Sequence, residues 1–251
     1  MGVGNWVGLA VTSFAASLLL ATNGFGFAML AAPFFLLFAS PSFAIELVVV
    51  LTLAMALTVM PGIWRDIDSR LLLRLILGGV VGVPIGLAAF AYSDPLATRF
   101  VIGATTTFST AMLVVNRYRQ GAPLVKLGPG RDIAAGALGG ITTGLSGMAG
   151  PPVLIYLLLG GASMRTVRAT PMAYFALCYA VTLVALLLTV GITPAAWFGA
   201  AGLFPLAFVG TLIGLKLGGW LSDHHATALA LTVLGVTGLY TLAAAAHTAL
   251  W

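Results

Sequence analysis

The sequence predicts an all-α polytopic membrane protein built from two inverted repeats, and three observations predict it. The first is composition: the 251 residues are 61% hydrophobic and 7% charged, with a mean hydropathy of +1.11. A soluble domain carries roughly 25% charged residues, so there is too little polar text here to coat a water-exposed surface. The second is pattern. The apolar runs do not alternate with polar residues as barrel strands would, and a helix satisfies its own backbone within lipid. The third is repetition. VGVPIGL at 81–87 recurs as VGTLIGL at 209–215, an offset of 210 − 82 = 128, and SDPLAT at 93–98 recurs as SDHHAT at 222–227, an offset of 222 − 93 = 129. NGFGFAMLAAP at 23–33 has a rough counterpart in GLSGMAGPP at 144–152.

The elements follow in order. Apolar runs 5–22 and 24–38 flank Asn23, Gly24 and Gly26 and read as a helical hairpin, with Pro33 in its returning arm. Helices at 44–61, 71–91 and 97–116 complete a first repeat, 1–116, and residues 117–131 form a polar linker. Runs 132–147 and 150–160 form a second hairpin, and helices at 169–190, 195–217 and 226–246 complete a second repeat, 132–251. Runs 24–38, 132–147 and 150–160 are short against the ~20 residues a crossing needs, which suggests half-helices meeting inside the membrane.

Charge sets the orientation. Arg65, Arg70 and Arg74 surround the first polar loop, Arg117, Arg119, Lys126 and Arg131 fall in or beside the linker, and Arg165 and Arg168 form a third cluster. The positive-inside rule makes all three cytoplasmic. The first 64 residues carry no Lys or Arg, which suits an outside N-terminus. The pair of runs at 132–160 must then start and end inside, and the remaining three helices leave the C-terminus outside. The first repeat enters from the opposite face. The loop at 222–227 has Lys216, His224 and His225 to hold it inside. The N-terminus has no charged stretch ahead of its first apolar run, so no signal peptide is expected.

Several function classes lose support. The net charge of +5 sits in short loops as topology signals, so no nucleic-acid partner is expected. Cys178 is a packing residue, and one cysteine makes no disulfide within a chain. His224, His225 and His247 have no metal-ligand partners at useful spacing, and no hydrolase, metalloprotease or P-loop motif occurs. No enzyme activity, metal or cofactor is expected. Glu46, Arg74, Arg99, Asp132 and Lys216 lie near predicted helix ends, where snorkelling accounts for them, and no mid-helix carboxylate offers a proton or sodium relay.

Two halves, each with a Gly/Pro-broken helix in the corresponding place, is the pattern of a secondary transporter. A helix that begins inside the membrane aims free N–H groups and a partial positive charge at the cavity. Two such tips can hold an anion without a charged side chain. The candidate substrate-binding residues are Asn23, Gly24, Gly26 and Pro33 in the first hairpin. In the second they are Thr142, Thr143, Ser146, Gly147, Gly150, Pro151, Pro152 and Tyr156. Thr52 and Thr170 are further hydroxyls within reach of such a site. Against this stands helix packing, which glycines in membrane helices also serve, and hydroxyls in helices often bond their own backbone.

The motifs GFGFAMLAAPFFLL and GLSGMAGPPVLIYLL, with VRAT at 167–170, resemble the paired motifs of the sulfite exporter TauE/SafE family. The resemblance covers essentially the whole chain, although the run of three glycines found in many members is missing from both motifs. It implies a transporter of a small sulfur-containing anion, such as sulfite or an organosulfonate, in the bacterial inner membrane. Export is expected, by alternating access, with the anion held between the two hairpins at mid-membrane. A passive anion or small-solute channel and a non-transporting scaffold subunit are the alternatives. The expected partners are the anion and the lipid bilayer, and a homo-oligomer is compatible with this reading.

Overall fold

The computed structural model describes residues 2–23, 26–118, 123–189, 191–217, 232 and 235–243. They are helical with no strand among them. The helices are α1 (Val3–Asn23), α2 (Phe27–Phe38), α3 (Pro41–Ile63), α4 (Ser69–Ala91), α5 (Pro95–Tyr118), α6 (Pro129–Ser146), α7 (Gly150–Leu159), α8 (Met164–Thr189) and α9 (Pro194–Leu217), with a 3-10 turn at Trp64–Asp66. Six of them (α1, α3, α4, α5, α8 and α9) are long and apolar enough to cross a membrane. Helices α2 and α7 have 12 and 10 residues, or about 18 and 15 Å at 1.5 Å per residue. That is well short of the ~30 Å hydrocarbon core. Of the helix expected at 226–246, residues 232 and 235–243 are described and helical, and Gly103 and Gly238 bring 235–243 against α5. The loop at 222–227, with His224 and His225, lies outside the described residues, as do Gly24, Arg119 and His247.

Local chemistry sets the helix ends. Helices α3, α5, α6 and α9 each begin on a proline, which gives up a backbone donor that has no partner at that position. Asp68 caps α4 by accepting from the N–H groups of Arg70 and Leu71, each at 3.0 Å. Gly147 ends α6 in the left-handed conformation (φ 71°), its N–H donating to Thr143 O and that of Met148 to Thr142 O.

Packing explains the repeated VGxxIGL text. A Cβ on Gly82 would lie 2.2 Å from Ala137 O, and one on Gly86 would lie 2.1 Å from Ile141 O. From the facing side, a Cβ on Gly136 would lie 2.1 Å from Leu75 O. Helices α4 and α6 therefore touch backbone to backbone, and since paired positions rise together they run parallel. The second copy of the motif does the same: Gly210 faces Phe14 O at 2.7 Å and Gly214 faces Leu18 O at 2.8 Å, which holds α9 parallel to α1. In each seam, one helix comes from the first half of the sequence and the other from the second.

Helix α2 runs back along α1, with the Phe38 ring against Gly8. The core gathers around α2, α3 and α8, where Phe27, Phe35, Leu47, Leu51, Tyr174 and Tyr179 are fully buried. Outward faces carry large apolar residues such as Val11, Leu77, Ile85, Phe108 and Phe198, all exposed. In a membrane these faces meet lipid. The helix order puts Arg65, Arg70, Arg74, Lys126, Arg131, Arg165, Arg168 and Lys216 at one end of the bundle. Arg99, at the start of α5, is at the other end.

Two charges depart from the snorkelling expected of them. Asp132 is 1% exposed and Glu46 is 9% exposed. A charge is held inside only when it is paired or hydrogen-bonded, and both are. The Arg74 guanidinium lies 3.0 Å from Asp132 Oδ2. The Thr193 N–H and hydroxyl donate to Glu46 Oε2 at 3.2 and 2.6 Å.

Candidate substrate site

The break between α6 and α7 is buried from Ser146 to Pro151. Tyr179 on α8 closes it. Its hydroxyl donates to Gly147 O at 2.7 Å and accepts from the Ala149 N–H at 3.3 Å. A helix start leaves four N–H groups without intrahelical partners. For α7 these belong to positions 149–152. Tyr179 takes the one on Ala149, and Pro151 and Pro152 have none, which leaves Gly150. The hydroxyls beside this break are also engaged. Thr142 and Thr143 donate to Gly139 O at 3.0 and 2.6 Å, and Ser146 donates to Thr142 O at 2.8 Å.

The start of α2 is different. Gly26 takes a left-handed φ of 114°, and the first helical bond runs from Leu30 N to Gly26 O at 3.0 Å. The N–H groups of Phe27, Ala28 and Met29 lie ahead of that bond with no side-chain cap, and all three residues are buried. This start is adjacent to the other break: a Cβ placed on Gly150 would lie 3.8 Å from the Met29 sulfur and 3.6 Å from the Phe175 ring. Thr52 on α3 adds a buried hydroxyl. It is near the Tyr179 hydroxyl but outside hydrogen-bonding geometry, and it has no other partner. Thr170 is placed elsewhere, accepting from the Asp68 N–H at 3.0 Å.

Toward the basic end, Tyr156 turns away from the break. Its hydroxyl donates to Asp132 Oδ1 at 2.5 Å and accepts from the Gly128 N–H at 3.2 Å, so Tyr156, Asp132, Arg74 and the end of the linker form one network. Beside it, a cavity of about 640 Å³ opens between α5, α6 and α7, with Arg131, Tyr156, Thr142, Pro151 and Pro152 in its wall.

The predicted residues thus fall into three groups. Gly26, Gly147 and Gly150 lie at the two breaks, with Asn23 as the last residue of α1. Thr142, Pro151, Pro152 and Tyr156 line the cavity between α5 and the α6–α7 pair. Pro33, Thr143 and Ser146 are buried, Pro33 within α2 and the other two in the last turns of α6. Sequence reasoning missed Tyr179 and the amides of 27–29. A tyrosine in the apolar run ALCYAV was the available signal, because a buried tyrosine hydroxyl usually has a partner.

Six membrane-length apolar helices and lipid-suited outward faces among the described residues define a polytopic integral membrane protein. The model of the sulfite exporter TauE/SafE family matches residues 9–241, nearly the whole chain, and the chain belongs to that family. Membership makes it a membrane transporter for sulfur-containing anions. Neither a curated protein nor a solved structure matches it.

Proposed function

We propose that this protein carries a small sulfur oxyanion or organosulfonate across the membrane by alternating access, with export as its physiological direction. The anion sits at the buried start of α2, opposite Gly150, between the hairpins 5–38 and 132–160. One observation carries the reading: three uncapped amides, of Phe27, Ala28 and Met29, lie inside the protein at a helix start. Such a start favours negative charge. The Gly150 N–H, left free at the start of α7, and the unpartnered Thr52 hydroxyl are the donors assigned to the anion from the other elements. An uncharged site suits a carrier, which must release what it binds.

The reading treats 1–116 and 132–251 as repeats of opposite orientation. The matched glycine seams support this, as does the placement of each VGxxIGL copy against a helix of the other half. The basic end faces the cytoplasm of a bacterial inner membrane, and both termini face outward.

The test is counterflow of labelled sulfite in liposomes containing the purified protein. Wild-type protein is expected to accumulate label against internal unlabelled sulfite, which a passive channel does not do. Gly150→Val is expected to abolish counterflow while the protein still purifies as a folded species, since the added Cβ makes only ordinary contacts, 3.6 Å to Phe175 and 3.8 Å to Met29, while the bulk beyond it occupies the proposed anion space. Normal counterflow by that variant would sink the site assignment.

A further inference from the structure

At the end of the bundle opposite the basic clusters, a cavity of about 780 Å³ opens between α1, α2, α3 and the starts of α5 and α9. Glu46 and Arg99 both line it, together with the rings of Trp6, Phe38 and Phe43. The two charges are not paired with each other; the ion pair among the described residues is Arg74–Asp132. Arg99 gives one Nη1 bond to Leu36 O at 3.3 Å, which leaves donors of its guanidinium unused. Glu46 is nine-tenths buried and its Oε2 accepts both bonds from Thr193.

Tethering does not account for the charge on Glu46. It ties the residue just ahead of α9 to α3. An equivalent tether joins the residue just ahead of α4 to α8, where Thr170 Oγ1 accepts from the Asp68 N–H at 3.0 Å. The two tethers stand at nearly the same sequence offset, 170 − 46 = 124 and 193 − 68 = 125. A neutral hydroxyl suffices in one place. In the other, a carboxylate stands in a cavity, with aromatic rings beside it and an unpaired guanidinium in the same wall. The carboxylate and rings suit a cation, and the guanidinium suits an oxyanion.

We propose that this cavity is an outward-facing binding site, on the exit side of the carrier, for a small zwitterion, in which an ammonium group a few bonds from an oxyanion rests on Glu46 and the Trp6–Phe43 rings while the oxyanion rests on Arg99. This rests on the transport reading above and narrows its substrate class from a plain anion to one that also carries a cationic end.

The test compares 2-aminoethanesulfonate with 2-hydroxyethanesulfonate, which differ in the ammonium group. Calorimetric binding to the detergent-purified full chain is expected to favour the amine by about tenfold or more, equivalent to about 1.4 kcal/mol. Glu46→Gln keeps a carbonyl acceptor for Thr193 and should bring that ratio to about one. Arg99→Gln should weaken both probes while the ratio holds. Equal binding of the two probes by the wild type overturns the proposal, as does an unchanged ratio in Glu46→Gln. The wild-type ratio and Arg99→Gln decide the matter if Glu46→Gln does not fold. Liposome flux separates the two readings. Protein that binds with the expected ratio but moves neither probe nor sulfite overturns the transport reading alone. Protein that moves sulfite yet binds both probes equally overturns the zwitterion site alone.

Discussion

Asp132 holds a charge out of water by accepting from three donors, Arg74, Tyr156 and the Gly128 N–H. Removing that acceptor strands the Arg74 guanidinium and the Tyr156 hydroxyl proton, while the Gly128 N–H keeps its bond to the Tyr156 hydroxyl at 3.2 Å. Arg74 is 37% exposed, so water reaches part of the stranded cation and the cost falls below that of a fully buried pair. Asp132→Ala is expected to lower unfolding stability in detergent by about 2 kcal/mol, and Asp132→Asn, which still accepts, by about half as much. Tyr179→Phe removes the bonds to Gly147 and Ala149 and leaves both backbone groups buried without partners. A loss of about 1–3 kcal/mol is expected in the same unfolding measurement.

Among the helices, the glycine seams are the least tolerant contacts. Gly82 faces a backbone carbonyl, and no side chain can rotate away to make room. Gly82→Ala is expected to cost about 3 kcal/mol, the upper end for overpacking. Gly202→Ala on α9, with nothing within 4 Å of the added carbon, should change stability by about 0.5 kcal/mol or less. Parallel thermal melts of the two variants provide the comparison. These elements were legible in the sequence because membrane helices announce themselves by length and apolarity: the run at 71–91 corresponds to Ser69–Ala91, and the repeated VGxxIGL marks both seams. The polar connections were not. Glu46 meets a threonine 147 positions away and Tyr179 meets a glycine 32 positions away. Apolar patterning says where a helix lies but not which polar groups it brings together across space. For the same reason the candidate site was legible as two breaks, and Pro151 and Pro152 show in the sequence as two missing donors, whereas the capping of the Ala149 amide comes from a tyrosine on another helix.

At the scale of the whole molecule, the uneven distribution of basic residues predicts orientation. Tyr92, 93% exposed in the turn between α4 and α5, lies at the end away from the basic clusters, while Arg65 lies among them. The native Cys178 is buried, so background labelling should be low. Tyr92→Cys is expected to react with a membrane-impermeant maleimide applied to intact cells, and Arg65→Cys only after lysis. The reverse pattern would invert the orientation and move the Glu46–Arg99 cavity to the cytoplasmic side.

The two glycine seams bind α4 to α6 and α1 to α9, so each seam crosses from one half of the chain to the other. Helices in backbone contact have no slack and shift only together. The rearrangement proposed for transport is therefore expected to divide the bundle between the seamed pairs rather than at the linker. The halves are clasped like two hands with fingers exchanged. If the chain were cut in the linker, each fragment would lack the neighbour its glycines are shaped to meet, and the pieces would become whole only by finding each other.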